Sequence, residues 1–129
     1  MHAFAVDVAL PIDRAIARLK ELLALEKLGV VSEVDIQAVM KNKLGHDMPA
    51  YIMLGVCGPG YAKRVLDADA DLGAILPCGC AVYATAEGKT RIALRHPDTV
   101  SAFSGRPEVK AAMDEAGAAL RRIVEQLVG

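Results

Sequence analysis

The chain has no excess of either charge. Its 15 basic and 16 acidic residues leave a formal net charge of −1, and they are mixed along the sequence rather than gathered into blocks. That excludes the basic footprint by which nucleic acid or an anionic membrane surface is held, so neither is expected as a partner. Long apolar runs are missing too. No uncharged stretch is longer than Leu72 to Ala86, which contains Gly73, Pro77 and Gly79 and is shorter than the ~20 residues of a spanning helix. The opening MHAFAVDVALPIDR has no basic leader before an apolar run and carries Asp7 inside it. No signal peptide is therefore expected, and the cytoplasm follows by default. Only three cysteines occur, a small odd number that argues against a disulfide framework in a reducing compartment. There is no internal repeat and no low-complexity linker. No Ser/His/Asp or paired-carboxylate arrangement can be argued from spacing. Asp67, Asp69 and Asp71 lack the glycine and distal glutamate of a calcium loop and read as a solvated turn.

What is present is a folded domain with apolar surface to spare. The 129 residues suit one domain spanning 1–129, and a chain of this size buries roughly two thirds of its unfolded surface. Hydrophobic residues make up 53% of it and charged residues 24%, the first above the ordinary share and the second about average. Spare apolar surface is commonly covered by another subunit, and closed symmetric dimers are the commonest oligomers. A homodimer is the expected state.

The order of elements follows from periodicity. Phe4, Val6, Val8 and Leu10 alternate with Ala5 and Asp7, the period of a half-buried strand. Pro11 stops it and opens a helix, in which Ile16, Leu19, Leu22, Leu23 and Leu25 fall at helical spacing, with Asp13 in the first turn and Gly29 just past the end. Val30 to Val34 reads as a second strand. Asp35 then caps a short helix whose face holds Ile36, Val39, Met40 and Leu44, with Gly45 as its terminator. Tyr51 to Cys57, bounded by Pro49 and by Gly58-Pro59-Gly60, is a third strand. A helix from about Tyr61 to Ala68 follows, with Val65 and Leu66 turned inward. Ala74 to Ala84, broken by Pro77 and Gly79, is either one bulged strand or a segment leading into a strand. Ala86 to Lys89 turns the chain into a final strand, Thr90 to Leu94. After a polar loop, Pro107 opens a last helix over about 107–128, with Val109, Met113, Leu120, Val124 and Leu127 in its stripe and Gly117 as an interruption. Strands and helices in this order imply an α+β fold, a two-layer sandwich with a mixed, mostly antiparallel sheet of about five strands and helices on one face.

The densest concentration of cysteine and glycine lies between Ala50 and Ala84. There a strand Ile52 to Gly55 leads into Cys57-Gly58-Pro59 and Ala62, and Gly73 to Leu76 leads into Pro77-Cys78. With Leu28-Gly29, Glu33 to Ile36 and Leu44-Gly45, these residues make the chain resemble the bacterial and archaeal family called domain of unknown function 302, over about residues 4–97. The resemblance implies a small α/β sandwich, usually dimeric, with no settled activity. The chain departs from the family's pattern at Gly58 and Gly79, where the family often has Asn, and at Cys80, where it often has an aliphatic residue. It thus offers no side-chain amide at the two glycines.

Three readings of this stretch follow. In the first, Cys57, Gly58, Gly60, Lys63 and Cys78 form a ligand pocket for a metal ion or a sulfur-containing small molecule. The thiol of Cys57 sits at a helix entrance with Lys63 and Arg64 in the first turns, an environment that favours thiolate. A soft metal such as zinc or copper would draw on Cys57, Cys78 and Cys80, with His96 or His46 as a fourth ligand, although the spacing matches no compact finger and a strand-helix-strand crossover separates Cys57 from Cys78. The glycine turn fails the phosphate-loop pattern, since no Ser or Thr follows Lys63; what survives is a small-anion site at the helix N-terminus. In the second reading Cys57 is the nucleophile of a thiol enzyme or the carrier of a persulfide. In the third the cysteines are core residues of a structural or interaction domain, free cysteine being among the most buried types.

Overall fold

The computed structural model describes residues 2–128; Met1 and Gly129, the two ends of the expected domain, lie outside the described residues. Five strands, β1 (Ala3–Val8), β2 (Gly29–Asp35), β3 (Tyr51–Cys57), β4 (Cys78–Ala84) and β5 (Thr90–Arg95), form one sheet in the order β1-β5-β4-β3-β2. Every pairing is antiparallel, so the mixed sheet expected from the sequence is a wholly antiparallel one within an α+β fold. The helices are α1 (Ile12–Leu25), α2 (Ile36–Leu44), α3 (Pro59–Ala68), the single turn α4 (Asp98–Ser101) and α5 (Pro107–Val128).

The period of two decides which face of the sheet is covered. Phe4, Val6 and Val8 of β1, Leu54 and Val56 of β3, Cys80 and Val82 of β4, and Ile92 and Leu94 of β5 all point the same way. They meet Ile16, Leu19, Leu22 and Leu23 of α1 and Leu120 and Ile123 of α5. Each large side chain so buried contributes roughly 1.5–3 kcal/mol. A second cluster joins Val65 of α3, Leu72, Val100 and the first half of α5. Gly117 does not interrupt α5: it is buried, and a β-carbon there would meet Pro97 Cδ at 3.9 Å, an ordinary van der Waals distance.

Local signals set the helix ends, with one departure. α1 does not stop at Gly29. Lys27 adopts the left-handed conformation at φ 60°, its N–H donates to Ala24 O, and the Leu28 N–H donates to Leu23 O. That is a Schellman closure with a lysine where glycine is usual, and the buried pair Leu23 and Leu28 supplies its hydrophobic contact. Gly29 instead begins β2. Asp35 caps α2 as expected, accepting from the Ala38 N–H at 3.0 Å, and Gly45 ends it at φ 63°.

Beyond β3 the chain departs from the sequence expectation in two places and, in a third, takes one of two arrangements left open. Pro59 is the first residue of α3, with Gly58 as its cap, so the glycine turn is the helix's own first turn. Leu66 is exposed rather than turned inward. Residues Ala70–Ile75 form a 3₁₀ segment, and β4 starts only at Cys78, the second of the two arrangements open for that stretch.

Candidate functional site

A pocket lies where the ends of β3 and β4 meet the helices. Cys57 is the last residue of β3 and Cys78 the first of β4. Because these strands run antiparallel with Val56 opposite Cys78, the two cysteines come to the same end of the sheet. The separation expected from a crossover does not occur: α3 and the 3₁₀ segment return the chain to the end of the sheet it left. Both residues line a cavity of about 50 Å³, room for roughly three or four water-sized groups. Its other walls are apolar, with Leu28, Tyr61, Pro77 and Pro97 around it and Met113 and Leu120 of α5 behind.

Gly58 is a sterically necessary part of that wall. A β-carbon there would stand 2.5 Å from Leu28 Cδ2 and 2.6 Å from Tyr61 Cδ2. Both are closer than real contacts allow, so a larger residue would push Leu28 or Tyr61 aside. Gly60 and Lys63 do not line the pocket. Lys63 is exposed and paired with Asp67, one helical turn on, and Arg64 donates to Glu115 of α5. The two cations expected to favour a thiolate at Cys57 are therefore engaged with carboxylates at the surface.

The four-ligand metal set is not assembled. Cys80 is 3% exposed and packs in the main core, opposite Leu54, and burial pushes its thiol up to about 12. His96 stacks on Phe4 at 4.6 Å between ring centroids, and its Nδ1 accepts from the Asp98 N–H at 3.1 Å. His46 follows the C-cap of α2, at the opposite end of β3 from Cys57. Among the described residues no group of three Cys, His, Asp or Glu side chains is arranged to hold a metal ion.

The chemistry left to the pocket is that of two free thiols in an apolar setting. Burial raises the pKa of Cys78, with the positive charge of Arg95 pulling the other way and Cys57 adding to the rise; Cys78 is a neutral thiol at pH 7. Tyr61, Leu28, Pro97, Met113 and Leu120 were not foreseen as pocket residues. In the sequence Met113 and Leu120 carry only the signal of a buried stripe, and nothing distinguishes a stripe residue behind a cavity from one in a filled core.

No helix among the described residues is long and apolar enough to cross a membrane. Among curated proteins no match to the chain is found. It is similar to a solved structure described as the crystal structure of an uncharacterized conserved protein DUF302 from Bacillus stearothermophilus, with 28% identity, 98% of each chain covered and a TM-score of 0.87. The family model described as Domain of unknown function DUF302 matches residues 4–127, beyond Pro97, where the resemblance read from the sequence ended. The match takes in α5, which supplies the back wall of the pocket. The chain belongs to this family.

Proposed function

We propose that the protein is a binding module whose pocket at the end of β3 and β4 takes a small apolar or sulfur-containing ligand. The observation that carries this reading is the meeting of Cys57 and Cys78, brought from two strand ends, in one cavity otherwise lined by apolar side chains. Such a site selects by shape and by soft contacts, thiol to sulfur or sulfur to aromatic ring, rather than by charge. Two cysteines also suit the low coordination number that a soft ion such as copper(I) accepts, while among the described residues no group of three ligands is arranged for zinc, which takes four. Catalysis by Cys57 is the weaker reading, because Lys63 and Arg64 are held by Asp67 and Glu115 and the helix entrance is then the sole support for a thiolate.

Titration with 1-propanethiol, and separately with copper(I), followed through the methyl signals of Leu28, Met113 and Leu120, tests the reading. Saturable shifts confined to these residues are expected. They should vanish in Ala62→Leu, which narrows the pocket from a half-buried position on α3. Unchanged methyl spectra with both probes overturn the proposal, and alkylation of native Cys57 faster than that of free cysteine transfers the argument to the enzyme reading.

A further inference from the structure

One face of the sheet meets α1 and α5, and the other holds an open hollow of about 800 Å³. The register places Met53, Ala81 and Ala93 side by side across β3, β4 and β5 at its centre. Tyr51 and Tyr83 bound it at one end, stacked at 5.1 Å between ring centroids. Arg95 and Thr99 bound it at the other. The solvent face of an antiparallel sheet ordinarily carries polar side chains; here Met53 is 49% exposed, with alanines beside it.

Gly79 lines this hollow with no local reason to be glycine. It pairs with Gly55 of β3 and, since Cys80 pairs with Leu94, its neighbour on β5 is Arg95. At Gly55 a β-carbon would run into Ser32 Oγ and Pro77 Cγ. At Gly79 it would meet no atom within 4 Å, and the backbone there is not left-handed. No bulge interrupts the register between β3 and β4. A glycine inside a strand weakens it, and where neither conformation nor neighbours require one, what it leaves is room for another molecule to approach the backbone.

Beside that glycine stands a fixed cation without a counter-charge. Arg95 Nε donates to Thr99 Oγ1 at 2.6 Å and Nη1 donates to Ile75 O at 2.8 Å. The Thr99 hydroxyl donates in turn to His96 O at 2.7 Å, which fixes its oxygen as the acceptor for Arg95. Both acceptors are neutral, and among the described residues no carboxylate forms an ion pair with Arg95. Arg91, two residues earlier on the same strand, is matched by Asp7. A guanidinium carries five N–H donors, so three of them are left for a ligand. One unmatched charge on a planar fork suits a single carboxylate, whereas a phosphate dianion calls for a second cation.

We propose that the hollow binds a small amphipathic monocarboxylate, with its carboxylate on the Arg95 guanidinium and its apolar body laid over Gly79 and Ala81 toward the tyrosine pair. From Gly79 to Tyr83 the strand rises about 13 Å, a span that an extended hydrocarbon chain of medium length covers. Met53 and Ala93 flank that path. Removing these apolar groups from water supplies the affinity, and Arg95 sets the orientation. The hollow shares only Pro77 with the thiol pocket, so the two proposals stand or fall separately.

Decanoate titrated into the native protein, with the methyl signals of Met53, Ala81 and Ala93 as the readout, is the test. Saturable shifts at these methyls are expected. 1-Decanol has the same chain without the charge and should bind at least about tenfold more weakly, because the charge-assisted hydrogen bonds are lost. Acetate, which has the charge without the chain, should cause no shift at the same concentrations. Arg95→Met should bring decanoate down to the affinity of decanol and leave decanol unchanged. Gly79→Val fills the open space over the strand and should abolish binding of both, while Ala62→Leu in the thiol pocket should change neither. Circular dichroism verifies folding of each variant; if Arg95→Met does not fold, the comparison of decanoate with decanol on the native protein decides the role of the charge. Equal affinity for those two overturns the proposal, as do shifts confined to Leu28, Met113 and Leu120 or decanoate binding that survives Gly79→Val. Tighter binding of decyl phosphate than of decanoate overturns the choice of carboxylate. A native protein that binds neither chain overturns the proposal outright, and one that also sediments as a pair separated by Gly79→Val assigns the face to a second copy instead.

Discussion

Replacing Cys80 by alanine should make the protein's stability less sensitive to alkaline pH. Cys80 lies in the main core opposite Leu54, and burial raises its thiol from the ordinary 9.0 to about 12. Between those values the folded protein keeps a proton that the unfolded chain has released. The contribution is therefore fully present below pH 9 and is lost as pH rises toward 12, at a slope approaching 1.4 kcal/mol per unit. Integrated from pH 8 to pH 10, the loss is about 1.4 kcal/mol. In Cys80→Ala this loss is gone, while removal of the buried sulfur costs on the order of 1 kcal/mol at both pH values. Urea denaturation reads the difference. With a slope of roughly 1–2 kcal/mol per molar for a domain of this size, the wild-type midpoint should fall by about 1 M more than that of the variant. Lysines, tyrosines and Cys78 titrate in both proteins and cancel in the comparison. Equal falls in the two midpoints would refute the assignment of Cys80 to a dry core position.

Two further substitutions test the helix ends. Lys27→Gly relieves a left-handed lysine at φ 60° and should raise stability by about 0.5–1 kcal/mol after the added freedom of the unfolded chain is counted; thermal unfolding measures it, and a lowered midpoint would show that the Lys27 side chain contributes more than its backbone costs. Asp35→Ala removes the acceptor of the Ala38 N–H and should cost about 1 kcal/mol, with the amides of the first turn of α2 exchanging faster with solvent. Unchanged exchange there would mean that the cap is not what holds the start of the helix.

Elements defined by their own residues were legible in the chain. The alternation of Phe4, Val6 and Val8, the spacing of Leu19, Leu22 and Leu23, the cap at Asp35 and the turn at Gly88 are written in neighbouring positions, and each stands where the sequence places it. The end of α1 was placed by Gly29 and not by Lys27, because a glycine carries the stronger signal for a helix end. The closure depends on the burial of Leu28 against Leu23, which a propensity argument does not contain. Leu66 was misread for a related reason: α3 is covered on one side only, and Val65 takes the covered position.

The pocket was half legible. Cys57, Gly58 and Cys78 were singled out and do come together, while Lys63, Gly60, Cys80 and His96 carry types that suit a site but lie outside the pocket. By itself the sequence determined which stretches become strands and helices, which side of each is apolar, and that all three cysteines lie between Ala50 and Ala84, since all of these rest on local periodicity and residue type. Tertiary structure alone decided the antiparallel return that sets Cys57 beside Cys78 and the burial that makes Cys80 inert. It also decided the one-sided packing that leaves the alanine face of the sheet open. Those depend on which distant segments meet, and distance along the chain carries no record of that.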